Sequence, residues 1–498
     1  MIDKDLKKIL DDQQGSIIED PSKYLCVSAC PGAGKTYTLV KKIEKELESL
    51  KEYQGVIACS FTKEAAKEIK DRLEKINNKL DNCFIGTIDS LIMSLIIKPF
   101  LNRYLFYAKV IDKRISIDSV IIDTCKDLNN YTRFYDTNAY IRNNANTYIN
   151  LWFDDLKKGI YKISFVPYIL AEKIIGMELF NRYFSLRFPT IYIDEAQDLN
   201  YFQHRFLNAL KIKTNINIVL FGDPNQSIYQ FRGARPEFFN NLINVGYEIR
   251  KITVSVRCHP SILFYANQIF DSNVPKIFKE SHVSIINNLD INFLESLVGG
   301  IFILVETNDK GIELYENYKN NFDILFSKKL DGMPNDFDLN RDVLEELIKY
   351  YINYDNLKDR YKYPIDDLMM YLHNINEKIN KSDFRIKQRS FHDFMNHSIN
   401  ILNLDVSDET VNIMYEKLID EKYKYYYYIS EKNNKIMTIH SSKGLENDNV
   451  IIYLSSSFKI DNTFKNKLFV AITRAKKNVF IYCEPCFSGI EYINNLIQ

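Results

Sequence analysis

Ala29-Cys30-Pro31-Gly32-Ala33-Gly34-Lys35-Thr36 follows directly on the run Leu25-Cys26-Val27-Ser28. The run has the length and apolar character of a buried strand, and the small residues after it suit a tight loop. Gly34-Lys35-Thr36 then opens an amphipathic helix with Leu39, Val40 and Ile43 on its apolar side. Strand, glycine-rich loop and helix N-terminus in that order make a phosphate cradle: backbone N–H groups and the helix dipole face the anion. Lys35 is placed to reach the β- and γ-phosphates and the Thr36 hydroxyl to bind Mg²⁺. Ala29 stands where the pattern has its first glycine. A Gly/Ala-rich turn before a helix is also a common structural device, so the remaining chain has to decide.

At 498 residues the chain can bury several cores, and length alone suggests roughly three or four domains. Its 46% hydrophobic and 26% charged residues are ordinary for a globular protein. Sixty-five basic and 65 acidic residues cancel, so any surface for nucleic acid has to be local. The start, Met-Ile-Asp-Lys-Asp-Leu-Lys-Lys, carries no apolar leader, and no run approaches a membrane span; the nearest, Leu91 to Ile97, is short and broken by Ser94. Eight scattered cysteines argue against a disulfide framework and for a reducing, cytoplasmic setting. Cys483-Glu-Pro-Cys486 is a lone pair without a second pair or a nearby His, which poorly supports a zinc site.

Upstream of the loop, residues 1–24 are polar with a helical pattern, and Gln14 lies 21 positions before Lys35. Its amide could read an adenine edge, or it is simply a surface residue. Downstream, Gly55 to Ser60 reads as a strand ending in Phe61-Thr62, followed by a helix from Lys63 to Leu73. Cys83-Phe-Ile85 reads as another strand before Gly86-Thr87-Ile88-Asp89-Ser90. Strand, polar turn, helix, repeated, is the mark of crossovers in a parallel sheet, whose ligands bind at the carboxyl ends of the strands. From about Lys98 to Phe188 this rhythm stops, and Tyr- and Asn-rich helical segments follow, with Trp152 the only tryptophan. The bland reading of that stretch is a packing subdomain.

The rhythm resumes at Thr190-Ile-Tyr-Ile193, which ends in Asp194-Glu195-Ala-Gln197-Asp198. An apolar strand ending in two acids is what a Mg·NTP site needs: Asp194 for the metal's water shell, Glu195 to orient and deprotonate the attacking water. Acids also end strands for solubility, but the pair together with a phosphate loop is far more specific. Ile218 to Phe221 is a further strand, running into Gly222-Asp-Pro-Asn-Gln226 and on to Tyr229, Phe231 and Gly233. Gln226 is placed to sense a γ-phosphate. The two aromatics are placed to stack on nucleobases, with core packing as the rival reading.

This constellation resembles the UvrD/Rep/PcrA family of superfamily 1 DNA helicases. It continues with Arg257, then Thr438-Ile-His440-Ser-Ser-Lys443-Gly444-Leu445-Glu446, and closes with Val470-Ala-Ile-Thr473-Arg474-Ala475. The resemblance implies an α/β fold of two RecA-like P-loop NTPase lobes with parallel sheets, each carrying a mainly helical insertion, and ATP between the lobes. Lobe 1A would be residues 1–95 and 188–255 around insertion 1B, 96–187. Lobe 2A would be 256–334 and 431–498 around a small insertion 2B, 335–430, which holds the Tyr423–Tyr428 cluster. Strands of 2A would include Ile301–Val305, Phe322–Phe326, Ile436–Ile439 and Val450–Tyr453.

Carried over residue by residue, the resemblance implies that Gln14 reads adenine and that the loop from Ala29 through Cys30, Pro31, Gly32, Ala33 and Gly34 to Lys35 and Thr36 holds phosphate. Thr36 and Asp194 would bind Mg²⁺, Glu195 would be the base, and Gln226 would couple the γ-phosphate to DNA. Arg257 and Arg474 would be arginine fingers reaching across the cleft, and Glu446 would approach the ribose. DNA contacts would come from Phe61, Thr62, Thr87, Tyr229, Phe231 and His440.

Three departures stand out. The family's Asn-Tyr-Arg block is Ser255-Val256-Arg257 here, so the aromatic that usually stacks on the base is missing and other NTPs or dNTPs become candidate substrates beside ATP. Asn-Lys in the first DNA-contacting motif is Lys63-Glu64, and a His in the next is Asp89. Within the family, the compact size and Ile96-Ile97-Lys98-Pro99-Phe100 look like the helicase-like subunits of Gabija anti-phage systems. That similarity implies a nuclease partner resembling GajA, an ATPase-TOPRIM protein, and activation by DNA ends or single strands. Three functions remain: a 3′-to-5′ DNA translocase or helicase, a DNA-stimulated NTP or dNTP hydrolase with little unwinding that regulates a nuclease, and a stand-alone repair helicase.

Overall fold

Tyr24–Ala29 (β1) lies one strand in from the edge of a six-stranded sheet, between Asn217–Gly222 and Glu248–Ile252. The computed structural model describes residues 4–76, 80–107, 121–124, 160–163, 166–276, 278–325, 333–334, 336–337, 344–345, 347–348, 351, 384–401, 404–419 and 433–497. These fall into two compact units, Met1–His282 with Lys459–Lys477, and Val283–Phe458 with Asn478–Gln498.

In the first unit β1 is joined by β2 (Ile57–Ser60), β3 (Phe84–Thr87), β6 (Thr190–Ile193), β7 (Asn217–Gly222) and β8 (Glu248–Ile252), in the order β3-β2-β6-β7-β1-β8. Every pairing in this sheet is parallel, with Leu25 opposite Val219 on one side and Glu248 on the other. Every residue of β2 and β6 is buried, as expected of strands covered on both faces. Alternation does the sorting: Ile191, Ile193 and Cys26 enter one core, while Tyr192, Leu25 and Val27 enter the other. The second core also receives Leu39, Val40 and Ile43 from the helix Lys35–Ser49, the apolar side read from the sequence.

The first core draws Tyr168, Leu170, Phe180 and Phe184 from the helices Val166–Ile175 and Glu178–Arg187. Residues expected at the end of insertion 1B thus share a core with the sheet. A short parallel pair, β4 (Ile121–Thr124) with β5 (Ile160–Ile163), lies within the stretch read as helical. Trp152 lies outside the described residues. Two boundaries also move. β2 starts at Ile57 rather than Gly55, and β3 is Phe84–Thr87 rather than Cys83–Ile85, because Gly86 and Thr87 still pair with Cys59 and Ser60.

The second unit has its own six-stranded sheet, ordered β11-β12-β10-β13-β14-β9. Its strands are β9 (Val283–Ile286), β10 (Ile301–Val305), β11 (Asp323–Leu325), β12 (Lys435–Thr438), β13 (Asn447–Leu454) and β14 (Ala475–Cys483). β10 pairs parallel with β12 and β13, β11 with β12, and β14 with β9. Ile301, Ile303, Ile436 and Ile451 form its core. A separate apolar cluster around Phe337, Phe391, Phe394 and Met414 joins the helices Phe384–Ile401 and Asp408–Ile419. Phe326 and Tyr423–Tyr428 lie outside the described residues.

The expected boundary at 255/256 differs from the one between the units. The first unit runs on to His282 and takes Lys459–Lys477 as well. The helices Pro260–Gln268 and Phe464–Ile472 pack together, the Cys258 thiol lies 3.5 Å from the Thr473 carbonyl, and the His259 N–H donates to the Lys476 carbonyl. Arg257 and Arg474 therefore fold with the phosphate loop's own unit. Among the described residues no helix is long and apolar enough to cross a membrane.

Candidate nucleotide site

β1 ends at Ala29, which is buried and in strand register with Ile252. A residue in regular strand geometry needs no glycine, so the departure at the head of the loop costs nothing. The glycines that matter follow. Gly32 and Gly34 both have φ of +71°, where other residues are strained. A Cβ on Gly32 would lie 2.3 Å from Arg257 Cβ and 2.7 Å from Ser255 Oγ. The loop is thus pressed against the turn that carries Arg257. The Ser255 hydroxyl accepts the N–H groups of Arg257 and Cys258 and builds that turn.

Lys35 Nζ lies 2.5 Å from Glu195 Oε1, and Thr36 Oγ1 donates to Asp194 Oδ2 at 3.3 Å. Asp194 is buried; desolvation raises its pKa, Lys35 opposes this, and Glu195 adds to it. Burial likewise raises Asp223. A hydroxyl and a buried carboxylate converging at one point are hard oxygen donors, a set that fits Mg²⁺. Glu195 sits at φ +55°, the sole non-glycine residue with positive φ among the described residues. Left-handed backbone at such a residue is strain of the kind found at functional sites.

From Glu195 a bonded path runs outward. Gln197 Nε2 donates to Glu195 Oε2 at 2.5 Å, and Gln197 Oε1 accepts the Asp223 N–H at 3.0 Å. Asp223 Oδ2 accepts Gln226 Nε2 at 2.8 Å, and Gln226 Oε1 accepts Arg474 Nη2 at 3.1 Å. Arg474 is only 2% exposed, and its Nε donates to the Val470 carbonyl. Asn466, on the same helix, donates from Nδ2 to the carbonyls of Pro224 and Asn225. Gln14 is buried and donates from Nε2 to the Ala33 carbonyl, while Gln13 is bonded in both directions to Thr253.

Of the residues expected at DNA, Phe61 and Tyr229 stack with centroids 5.0 Å apart, and Tyr229 lies 6.1 Å from Phe231, which is 56% exposed. Thr62 and Thr87 cap the helices that follow them, accepting the N–H groups of Ala65 and Ser90. Asp89 accepts the Tyr168 hydroxyl, which in turn accepts Gln203 Nε2, so this acid ties the short helix Ile88–Leu91 to the helix Val166–Ile175. His440 and Glu446 belong to the second unit, on the turn between β12 and β13, with Glu446 exposed.

Sequence reasoning quoted Gln197 without giving it a task and passed over Asn466 and Gln13. The signal for Gln197 was its place two residues after Glu195 in an otherwise apolar-and-acid turn. Asn466 carried no local signal, since its partners are more than 240 positions away.

A phosphate loop after β1, paired acids after β6 and a polar turn after β7 define a P-loop NTPase of the α/β kind. Residues 13–232 match the AAA domain model, and residues 435–482 match the UvrD-like helicase C-terminal domain model. The chain resembles the UvrD-like helicases, as its motifs led one to expect. It is 29% identical to the Gabija protein GajB of Bacillus cereus (strain VD045), over 93% of this chain and 94% of that one. It is 25% identical to a probable DNA helicase II homolog of Mycoplasma capricolum over 76% of this chain, and 24% identical to DNA helicase II of Escherichia coli (strain K12) over 54%. These matches span 57% and 41% of the two helicases' own lengths.

Proposed function

We propose that this chain hydrolyses ATP in response to DNA and uses the cycle to move 3′-to-5′ along DNA or unwind it, as the DNA-sensing subunit of an anti-phage complex with a nuclease resembling GajA. The bonded path from Lys35 and Glu195 to Arg474 carries this reading, because it links the phosphate end of the site to a buried guanidinium through the γ-phosphate-sensing turn. Similarity to the Gabija protein over nearly the whole of both chains, against partial matches to longer helicases, favours the defence role over a stand-alone repair helicase.

In this reading Lys35 and the loop N–H groups bind the β- and γ-phosphates, and Gln14 borders the base. Thr36 and Asp194 would hold Mg²⁺, which would supply positive charge beside the phosphate oxygens. Glu195 accepts the proton of the attacking water once Lys35 turns to phosphate. Gln226 and Arg474 respond to the γ-phosphate, Arg257 adds positive charge beside the loop, and Glu446 serves the ribose. Phe61, Tyr229 and Phe231 offer stacking faces to single-stranded DNA, with Thr62, Thr87 and His440 at its backbone. The domain scheme 1A, 1B, 2A and 2B goes with this reading.

Ser255 favours a second reading. With its hydroxyl committed to a turn and Val256 beside it in place of the aromatic, base selectivity is weak, which suits a DNA-stimulated NTP or dNTP hydrolase that regulates a nuclease. Turnover of an NTP and dNTP panel with and without single-stranded DNA, alongside a forked-duplex assay, tests both. Strand separation driven by ATP supports the first; broad hydrolysis without separation supports the second; absence of DNA stimulation rejects both. Glu195→Gln is expected to lower turnover ~10²–10⁴-fold while nucleotide still binds. Co-purification with a nuclease tests the partner.

A further inference from the structure

We propose that Gln197 is a positioning residue for hydrolysis: it holds the Glu195 carboxylate in its working orientation and ties that orientation to the turn 222–227. The proposal rests on the reading of Glu195 as general base. Gln197 is fully buried, and its amide orientation follows from its neighbours. The Asp223 N–H can only donate, so the atom facing it at 3.0 Å is the carbonyl oxygen, and the NH₂ group is left facing Glu195 Oε2. The Gln197 backbone carbonyl accepts the Ser227 hydroxyl at 3.2 Å, so one residue is bonded to both ends of the turn.

The approach is built into the sheet. A Cβ on Gly222 would lie 2.6 Å from Gln197 Oε1 and 2.7 Å from the Phe239 ring, so only glycine at the end of β7 admits the amide. Glu195 is therefore held at both oxygens, by Lys35 at Oε1 and Gln197 at Oε2. A base must release one oxygen to take a proton, and it must keep its rotamer while doing so. Lys35 has another partner to turn to, the phosphate. Gln197 has none and stays, leaving Oε1 as the oxygen that faces the water. When Gln226 shifts, Asp223 shifts with it, and the same amide carries that movement to the base.

The test uses the full chain with Gln197→Met, which keeps the volume and removes both hydrogen bonds, and Gln197→Asn, which keeps an amide but draws it back by one methylene. Steady-state kcat and KM for ATP are measured with and without single-stranded DNA, together with the Kd of a fluorescent ATP analogue. The expected result for each is kcat lowered ~10²-fold, as for a misplaced catalytic group. KM and Kd should stay within about threefold of wild type, and the ratio of DNA-stimulated to basal rate should fall. A purely structural residue would instead change affinity and kcat in parallel. If Gln197→Met does not fold, Gln197→Asn, which leaves no apolar group facing Glu195, decides alone. A folded variant that keeps kcat within about threefold of wild type overturns the proposal. Glu195→Gln measured alongside separates the two readings: if it turns over normally, the assignment of the base fails; if it is inactive while the Gln197 variants are active, only the role of Gln197 fails.

Discussion

At the ends of β6 and β7, Asp194 and Asp223 are buried with carboxyl groups pushed above their usual range by desolvation. Just past β14, burial raises Glu484 too, but hydrogen bonds from Lys310, Ser456 and Tyr453 outweigh it and hold its pKa at about 2. There Lys310 Nζ lies 2.8 Å from Glu484 Oε1, the Tyr453 hydroxyl donates to the same oxygen at 2.8 Å, and the Ser456 N–H donates to Oε2 at 2.6 Å. In the first unit burial outweighs the donors and the lysine beside the acids, whereas in the second one lysine and two further donors outweigh burial at a single acid. Acids left with raised pKa in a site are poised for a cation or a proton; an acid held this low is already satisfied and serves the fold.

That contrast breaks first at Arg474. Arg474→Met keeps the buried stem and removes the guanidinium, and by the cost of losing an arginine finger it should lower DNA-stimulated hydrolysis ~10³–10⁵-fold. Turnover at the wild-type rate would make Arg474 a packing residue and leave the first unit's acids without a functional contrast. Phe231→Ala should weaken single-stranded DNA by ~1–3 kcal/mol, the worth of one stacked base, read as Kd by fluorescence anisotropy. Raising salt should weaken the same complex steeply if phosphate contacts carry the remainder.

The smallest effect belongs to the satisfied acid. Glu484→Gln should lower stability by about 1 kcal/mol and leave nucleotide affinity where it was. The sign of its pH dependence follows from the lowered pKa: the contribution is whole above the unfolded value of 4.5 and is lost as pH falls toward about 2. Melting curves of wild type and variant should therefore differ at neutral pH and converge in acid. Asp194 and Asp223 have the opposite sign, binding protons more readily when folded, so acid favours their surroundings until they are neutral.

Much of the first unit was legible because its signals are local. A buried strand, a loop with two left-handed glycines and an amphipathic helix each follow from a few neighbouring residues, as do Asp194 and Glu195 at the end of β6. β8 and β9 escaped notice because Glu248–Ile252 and Val283–Ile286 lack an uninterrupted apolar run; their pairing with β1 and β14 supplies what their sequence does not. The unit boundary escaped for a related reason. The bonds that draw Pro260–Gln268 and Phe464–Ile472 together join residues more than 200 positions apart, such as Cys258 with Thr473, and no periodicity in either segment announces them. Thr62 and Thr87, read for contact with DNA, also cap the helices that follow them, a task set by their place before each helix. Asp89, which departs from the family's histidine, accepts the Tyr168 hydroxyl.

The backbone of Glu195, at φ +55°, has a consequence for how this protein could be improved. A side chain in that region costs of the order of 1–3 kcal/mol, and the bonds of Glu195 to Lys35 and Gln197 offset a cost of that size. Glu195→Gly should therefore leave stability near that of wild type while, on the proposed reading of Glu195 as base, removing turnover. Selection for thermal tolerance alone would then be indifferent to the exchange, and only a demand for turnover would keep an acid on that backbone.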